Sequence, residues 1–323
     1  MSYNIRNLYL DLHSKHKWQK RKKKLLKNII KKHPDIFSIQ EDTLQQINFL
    51  KNNLYKNYSY FSLFDPNFDK KMNHNSIFYN KKKFSLINGI FFWLNSNNSF
   101  NKSDWDAYNP RSATIIELQR KNDKKNFFVC NVHLDHMGKK ARRNGIKIVL
   151  KKLEEINKKN EPVFLMGDFN ESPNHYAYME VMKKMFNDTW ADCVYKYNKK
   201  KNNNNNNKNV INNNNNNKNK INNNKLCYLG EQYATSFHFN FGKKINNIFI
   251  RNLLYIVYYF HGGKNSFYNR YHIDHMYYKN SNDSNIYPIY TSFPSDDLIN
   301  NKDGVYASDH FPIFSVFNFD YKS

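Results

Sequence analysis

The segment PVFLMGDFNES (162–172) carries an apolar run into an ionisable residue, Asp168, and two positions later a carboxamide, Asn170. Period-two geometry turns both side chains to the same side of the chain. A carboxylate and a carboxamide projecting together can bind a metal, a phosphate or a water, and they can equally form an ordinary Asx turn. Other apolar runs end in the same way: Asn4 in SYNIR, Glu41 in SIQED, His133 in NVHLDH, Asp274 in HIDH, and Asp309 with His310 in SDHFP. A lone strand-end histidine is more often structural than catalytic, and a lone Asp before Phe-Asn is more often a turn. The weight lies in their joint occurrence, because successive strand ends gather at one edge of a packed sheet, where ligand sites form. Glu41 and Asp309, with Asn4, offer hard oxygen ligands, which favours Mg²⁺, or Mn²⁺, over zinc. Asp168 or a His–Asp pair can activate water, Asn170 can orient the water or a phosphate, and His133 can donate to charge developing on a phosphate. No Gly-x-Ser-x-Gly nucleophile, phosphate-binding Gly-rich loop or dinucleotide fingerprint is present. The inventory points to metal-assisted attack of water on a phosphoester.

The elements that must position these residues are legible as periodicities. Trp18, Leu25, Leu26, Ile29 and Ile30 fall at helical spacing with lysines on the other face, and Pro34 ends the helix. Short buried strands are expected at DIFSIQE (35–41), NSIFYN (75–80), SATIIELQ (112–119), NFFVCNVHL (126–134) and VFLMGDF (163–169). Ile146, Val149, Leu150, Leu153 and Ile156 mark an amphipathic helix before the last of these, and another helix is expected over about 174–186. Residues 198–225, rich in Asn and Lys, cannot bury apolar area and read as a disordered insert. The fold resumes near 234, and 246–263 is apolar but contains Arg251 and is too short to span a bilayer. It reads as an extra strand or helix packed on the core, with an interfacial or partner-binding segment as the alternative. Strands are also expected at HIDHMYY (272–278) and HFPIFSVF (310–317). Strands alternate with helices early and dominate later, which indicates mixed sheets with helices outside rather than one parallel sheet.

The chain has 323 residues, 40% hydrophobic and 17% aromatic, enough for a substantial core. Its formal charge is +24, which suits a polyanionic substrate. Only eight of the 51 basic residues are Arg, and Lys is scattered throughout as an AT-rich coding sequence would impose, so the charge alone does not specify a partner. Cys130, Cys193 and Cys227 include no Cys-x-x-Cys pair, so no disulfide framework or zinc ribbon is expected and a reducing compartment fits best. With no apolar leader at MSYNIRNLYLDLH and no transmembrane run, a cytoplasmic location is expected.

The ordered set SYNIR, PDIFSIQE, NSIFYNKKKF, NVHLDHMGKKARR, PVFLMGDFN, HIDHMYY and YASDHFPIF resembles the endonuclease/exonuclease/phosphatase superfamily, which is deoxyribonuclease I-like. GIFFWLNSN, WDAYNPRSATIIEL and HLDHMGKKARR are similar to a poorly characterised branch near the deadenylase-like exonucleases. The match runs nearly end to end, excluding the Asn-rich insert and most of 241–270, which reads as a lineage-specific insert. The resemblance implies one domain over 1–323, an α/β (α+β) four-layer sandwich of two mixed β-sheets packed face to face with helices outside. It implies Glu41 as the principal metal ligand, Asn4 nearby and Asp309 on the metal side. Asp168 and Asn170 would contact the nucleophilic water and the phosphate, and His310, oriented by Asp274, would bind the scissile phosphate or act as base. His133 would donate to a phosphate oxygen. Asn75 and Arg111 fall in family-like segments and are assigned to substrate, with a structural salt bridge for Arg111 as the alternative; His136 and His275 are taken as supporting or surface residues. The chain departs from the family pattern in the few residues before Asn4, in TSFHFNF and in HIDH.

Three functions follow as expectations. The first is a metal-dependent nuclease, with 3′–5′ exonuclease action on RNA favoured. The second is a phosphoesterase on an inositol phosphate, sugar phosphate or phosphodiester lipid. The third, a catalytically dead scaffold, should have lost one of Glu41, Asp168, Asn170, Asp309 and His310, and none is lost. The early Asp-x-His of another metallophosphoesterase fold, DLH (11–13), lacks that fold's later motifs. A monomer is assumed.

Overall fold

The computed structural model describes residues 1–63, 72–173, 175–193, 228–229, 272–293 and 305–321. The expectations for 198–225, 241–270, 246–263 and the TSFHFNF stretch lie outside those residues. In chain order the first half contains β1 (Ser2–Asn4), a 3₁₀ turn (Leu8–Asp11), α1 (Trp18–Lys32), β2 (Ile36–Gln40), α2 (Leu44–Leu54), β3 (Tyr58–Phe61), β4 (Ile77–Asn80), β5 (Phe84–Trp93) and β6 (Ser112–Arg120). Then come β7 (Asn126–His133), α3 (Lys139–Ile156), β8 (Val163–Asp168), α4 (Tyr176–Lys183), β9 (Asn187–Asp188), β10 (Tyr228–Leu229), β11 (Asp274–Lys279), β12 (Ser284–Ser292) and β13 (Phe314–Tyr321). The elements expected from sequence do not include α2, β3, β5 and β12. In β12 the register shifts between Pro288 and Tyr290, where proline cannot donate to a ladder.

One sheet runs β1-β2-β4-β3 and is joined to the β10-β12-β13 sheet through a bridge between Ser2 and Ile313. The facing sheet runs β5-β6-β7-β8-β11-β9. Both mix parallel and antiparallel pairs: β1–β2 and β7–β8 are parallel, whereas β2–β4 and β8–β11 are antiparallel. Trp18, Leu25 and Ile29 of α1 and Ile47 and Leu50 of α2 pack on Tyr3, Phe37 and Ile39 of the first sheet. Ile146, Val149, Leu150 and Leu153 of α3 pack on Cys130, Val132 and Leu165 of the second. A third cluster, including Ile77, Ile116, Val129, Phe164, Met166 and Met276, fills the space between the sheets. The result is the expected helix–sheet–sheet–helix sandwich.

Strand alternation decides what the inter-sheet space holds. β7 presents Phe127, Val129, Asn131 and His133 in succession; β8 presents Phe164, Met166 and Asp168; β11, running the opposite way, presents Tyr278, Met276 and Asp274. The facing layers thus grade from apolar at one end to polar at the other. Below the polar end, fully buried Gln40 donates to Asn131 Oδ1 at 2.7 Å and Ser2 Oγ at 3.0 Å. Asn131 in turn donates to the carbonyls of Ile39 at 2.8 Å and Ser76 at 3.1 Å. These amides bind one sheet to the other.

Cys130 is free and buried, whereas Cys193 is disulfide-bonded, a pairing that the absence of a Cys-x-x-Cys spacing did not announce. Spacing along the chain does not show which cysteines the fold brings together. Among the described residues no helix is long and apolar enough to cross a membrane. Replacing Asn131 by Ala removes one acceptor from the Gln40 amide and one donor from each of the Ile39 and Ser76 carbonyls in a dry interior. Urea unfolding should show stability lowered by ~2–4 kcal/mol at an unchanged slope; a loss below about 0.5 kcal/mol would mean that the bridge between the sheets is dispensable.

Candidate active site

The ends of three neighbouring strands lie in one row. In the parallel pair β7–β8, His133 faces Asp168; in the antiparallel pair β8–β11, Asp274 faces Asp168 from the other side. Gly167 makes this approach possible. Its φ is +147°, and a Cβ there would lie 2.0 Å from the Val132 carbonyl oxygen, so any side chain would separate β8 from β7. On the facing sheet, β1 and β2 bring Asn4 level with Gln40, one residue before Glu41. Four residues at this edge, Arg6, Glu41, Asn75 and Asn170, have φ between 49° and 61°. Left-handed backbone is uncommon for non-glycine residues and concentrates at functional sites.

Asn4 ties the two sheets together, donating to Glu41 Oε1 at 3.0 Å and to Asp168 Oδ2 at 2.9 Å. The Asn7 backbone N–H donates to Glu41 Oε2 at 2.9 Å. Asp168 Oδ1 accepts from the Asn170 N–H at 2.8 Å, and the Asn170 amide donates to the Leu134 carbonyl at 3.0 Å. His310 Nδ1 lies 2.8 Å from Asp274 Oδ2, while its Nε2 lies 3.8 Å from Asp168 Oδ2. Arg6 pairs with Asp309 through Nη1 and with Asp11 through Nε at 2.6 Å. Arg111 donates to His133 Nε2 at 2.9 Å and to His136 Nδ1 at 3.0 Å, and pairs with Asp135 at 3.4 Å.

Burial and charge set the protonation states. Burial lifts the Asp168 carboxyl to about 7, helped by the charge of Asp274 and opposed by His310 and Asn4. Burial disfavours a charged His310, yet Asp274, Asp168 and Asp309 outweigh it and hold the imidazolium well above the usual histidine range. Burial also lifts Asp309, more than His310 and Arg6 lower it. For Glu41 burial acts upward, but the Asn7 N–H, the Asn4 amide and the positive charges of His310 and Arg111 prevail and lower it. Burial first, then Arg111 and His310, keep His133 neutral. Because the guanidinium can only donate, His133 Nε2 is an acceptor here.

The structure brings all ten sequence-predicted residues to one edge. Glu41, Asn75, Arg111, His133, Asp168, Asn170, Asp309 and His310 line a cleft of about 790 Å³, with Asn4 and Asp274 bonded directly behind it. A groove of about 860 Å³ elsewhere on the molecule is lined by Phe127, Phe164, Met166 and Phe317 and contains none of them. The Asn75 amide donates to the carbonyl and hydroxyl of Ser112 at 2.9 and 2.8 Å, bridging the sheets at the cleft wall. Arg111 both pairs with Asp135 and faces the cleft. His136 is a cleft-wall residue, whereas His275 is buried on the opposite face of β11 against Phe169 and Tyr277. Sequence reasoning missed Arg6, Asn7, Gln40, Asn131 and Asp135. Arg6 lies two residues beyond Asn4 in the quoted SYNIR, and Asp135 lies inside HLDH, so both motifs held the signal.

The donors fit a hard divalent cation. Glu41 and Asp309 are oxygen ligands with interacting negative charges at the same cleft. Asp168, Asp274 and His310 also cluster, with one potential ligand atom each within 4.8 Å of the others. His310 Nδ1 is engaged by Asp274 at 2.8 Å and its Nε2 faces Asp168 at 3.8 Å, an arrangement that also suits acid–base work. Asn4 Oδ1 accepts from the Arg6 N–H at 3.0 Å, so its amide holds the acids in place. Mg²⁺ or Mn²⁺ should therefore raise the melting midpoint in scanning fluorimetry. The increment should grow from about pH 5 to about pH 8, because a carboxyl raised by burial, as in Asp309, must lose its proton before it ligates. An increment that ignores pH, or that survives Glu41→Gln unchanged, would contradict this donor set.

Residues 1–310 match the Exo_endo_phos family model, described as the Endonuclease/Exonuclease/phosphatase family. Over 201 residues, 57% of the chain, it is 27% identical to a probable RNA exonuclease, NGL3, of Saccharomyces cerevisiae, a match that spans 39% of the yeast protein's length. Among solved structures it resembles the Bacteroides thetaiotaomicron mannosyl-6-phosphatase Bt3783, with a TM-score of 0.71 and 23% identity over 98% of both chains. It also resembles D. rerio TDP2 in complex with a single-strand DNA product, with a TM-score of 0.62 and 14% identity over 98% of this chain and 97% of that one. Two facing mixed sheets, a row of acids and imidazoles at one edge and a match over almost the whole chain agree: this protein belongs to the endonuclease/exonuclease/phosphatase family.

Proposed function

We propose that the cleft hydrolyses a phosphodiester by metal-assisted in-line attack of water, with RNA as the substrate and removal of nucleotides from the 3′ end. The observation that carries the chemistry is Asp168, held in register between His133 and Asp274, with the Nε2 of a charged His310 only 3.8 Å away. Glu41 and Asp309 would hold the divalent ion, which when bound supplies positive charge to a phosphate oxygen. Asp168, with its pKa near 7, takes the proton of the attacking water at the pH where a carboxylate base is both available and basic enough. Asn170 fixes Asp168 through its backbone N–H and would sit beside the attacking water. His310, kept charged by Asp274, donates from Nε2 to the phosphate. Arg111 offers guanidinium N–H groups at the opposite wall, with His133 as their acceptor, and Asn75 positions that wall.

The RNA reading is supported by the yeast relative, described as a probable RNA exonuclease, and by the charge of +24. A sugar phosphate or other small phosphate is the second reading, favoured by the likeness to the mannosyl-6-phosphatase over nearly the whole of both chains. The experiment is parallel hydrolysis of end-labelled oligo(A), mixed-sequence RNA, single-stranded DNA and mannose 6-phosphate with Mg²⁺, Mn²⁺ or EDTA. Metal-dependent laddering of RNA from its 3′ end supports the first reading; phosphate release from the sugar with intact RNA replaces it by the second.

Two further outcomes are expected whichever substrate wins. Asp168→Ala should lower kcat by ~10³-fold or more while leaving the circular-dichroism spectrum unchanged; an active, folded variant would remove Asp168 from the base role. Between about pH 5 and pH 7 the wild-type rate should rise close to tenfold per unit and then level off, as Asp168 becomes ionised. A rate that falls over that interval would assign the limiting ionisation elsewhere.

A further inference from the structure

Helix α1, WQKRKKKLLKNIIKK, carries seven lysines, one arginine and no acidic residue. Its apolar stripe and the buried Arg21 face the core. Lys22 lies over the Phe49 ring and Lys24 donates to the Val305 carbonyl, so these two are engaged by the fold. Lys20, Lys23 and Lys27 are spaced i, i+3, i+7, which places them on one face. All three are exposed and have no ion pair among the described residues. Like charges at this spacing destabilise a helix. The longer helix α3 is compensated: it carries Glu154 and Glu155, and its Arg143 and Lys147 pair with Glu180 of α4. The uncompensated row therefore belongs to α1 rather than to the lysine-rich composition in general.

The row also has a direction. Arg21, in the first turns of α1, donates to the carbonyls of Ile5, Arg6 and Ala307 at 2.6, 2.6 and 3.1 Å. Arg6 and Asp309, next to those carbonyls, line the cleft. The α1 N-terminus thus stands at the catalytic edge, and the helix runs back to β2, which begins at the other end of the sheet. From Lys20 to Lys27 the row spans ~10 Å, room for more than one consecutive phosphate.

We propose that this face of α1 is a docking track for the phosphate backbone of a single-stranded polynucleotide whose end enters the cleft. The proposal rests on the polynucleotide reading above and adds where the substrate lies outside the catalytic centre. A negatively charged strand supplies counter-charges to Lys20, Lys23 and Lys27, which have none among the described residues, and binding releases its counterions.

The test measures binding of fluorescent oligo(A), about 20 nucleotides long, to the Asp168→Ala protein by anisotropy across a salt series. Two triple variants are compared, K20Q/K23Q/K27Q on α1 and K151Q/K158Q/K159Q, which removes the same charge from exposed lysines at the far end of α3 and just beyond it. The α1 variant should raise Kd ~10-fold or more near 0.15 M salt and make the slope of log K against log salt shallower by about 2. The control should shift Kd by less than about twofold. In the otherwise wild-type protein the α1 variant should keep full hydrolysis of bis(p-nitrophenyl) phosphate, which is too small to reach the track. Equal weakening by both variants would show net charge alone at work and overturn the track. So would unchanged oligo(A) binding accompanied by lost binding to phosphatidylserine vesicles. A wild-type enzyme that shortens RNA while the α1 variant binds it normally refutes only the track; a wild-type enzyme that neither binds nor cleaves any polynucleotide refutes the substrate reading as well.

Discussion

Asp168 is a carboxylate buried beside a second carboxylate, and the site depends on that repulsion being held in check. Two acids at adjacent strand ends, both about 1% exposed, would not stay ionised together without compensation. His310 supplies it, its imidazolium bonded to Asp274 and facing Asp168. The Asn4 amide and the Asn170 backbone N–H complete the shell around the Asp168 oxygens. The same balance leaves Asp168 near neutrality instead of deep in the carboxylate range. A tighter cage would make it a weaker base, and a looser one would keep it protonated.

This balance requires positions held to fractions of an ångström, and the fold supplies them through backbone geometry. Strand pairing fixes His133, Asp168 and Asp274 in one row, and the missing side chain at Gly167 lets β7 and β8 close. Left-handed turns at Arg6, Glu41, Asn75 and Asn170 swing side chains toward the cleft immediately beyond the strand ends. The turn after β2 is locked by Asp42, which accepts from the backbone and hydroxyl of Ser76 and thereby links the Glu41 turn to the Asn75 turn. Beneath them, Gln40 and Asn131 keep the sheets in register where apolar packing gives way to polar residues. Such a network specifies one arrangement, since each misplacement leaves a buried polar group unpaired.

The loop wall of the cleft is built separately from the row of strand-end acids. Asp106 accepts from the N–H groups of Lys140 and Ala141 at 3.1 and 2.7 Å, pinning its loop to the start of α3. Asp135 accepts from the N–H groups of Met137 and Gly138 and from that of Asn109, and pairs with Arg111. Tyr108, 72% exposed, packs edge-on against His136 at the cleft mouth. Strand-end acids and a loop-built wall can vary independently, and solved neighbours of this fold include a mannosyl-6-phosphatase and a TDP2 in complex with a single-strand DNA product.

The sequence by itself determined the chemistry-bearing residues and the layers that carry them. Asp168 and His133 close, and Asp274 opens, apolar runs whose period-two pattern could bury only one way, and the apolar faces of α1 and α3 could pack only against a sheet. It did not mark β3, β5 and β12, nor the pairing of Cys193, and α2 went unmarked although Leu44, Ile47, Leu50 and Leu54 fall at helical spacing behind a Thr43–Gln46 capping box. Only the tertiary structure decided the charges. The protonation of His310, the neutrality of His133 and the raised pKa of Asp168 depend on burial and on partners that include groups far away in sequence, as do the roles of Arg6, whose partner Asp309 is 303 residues distant, and of Gln40 and Asn131. Periodicity along a chain records which face a residue turns to the core, whereas a titration is set by the distances among groups that only folding brings together.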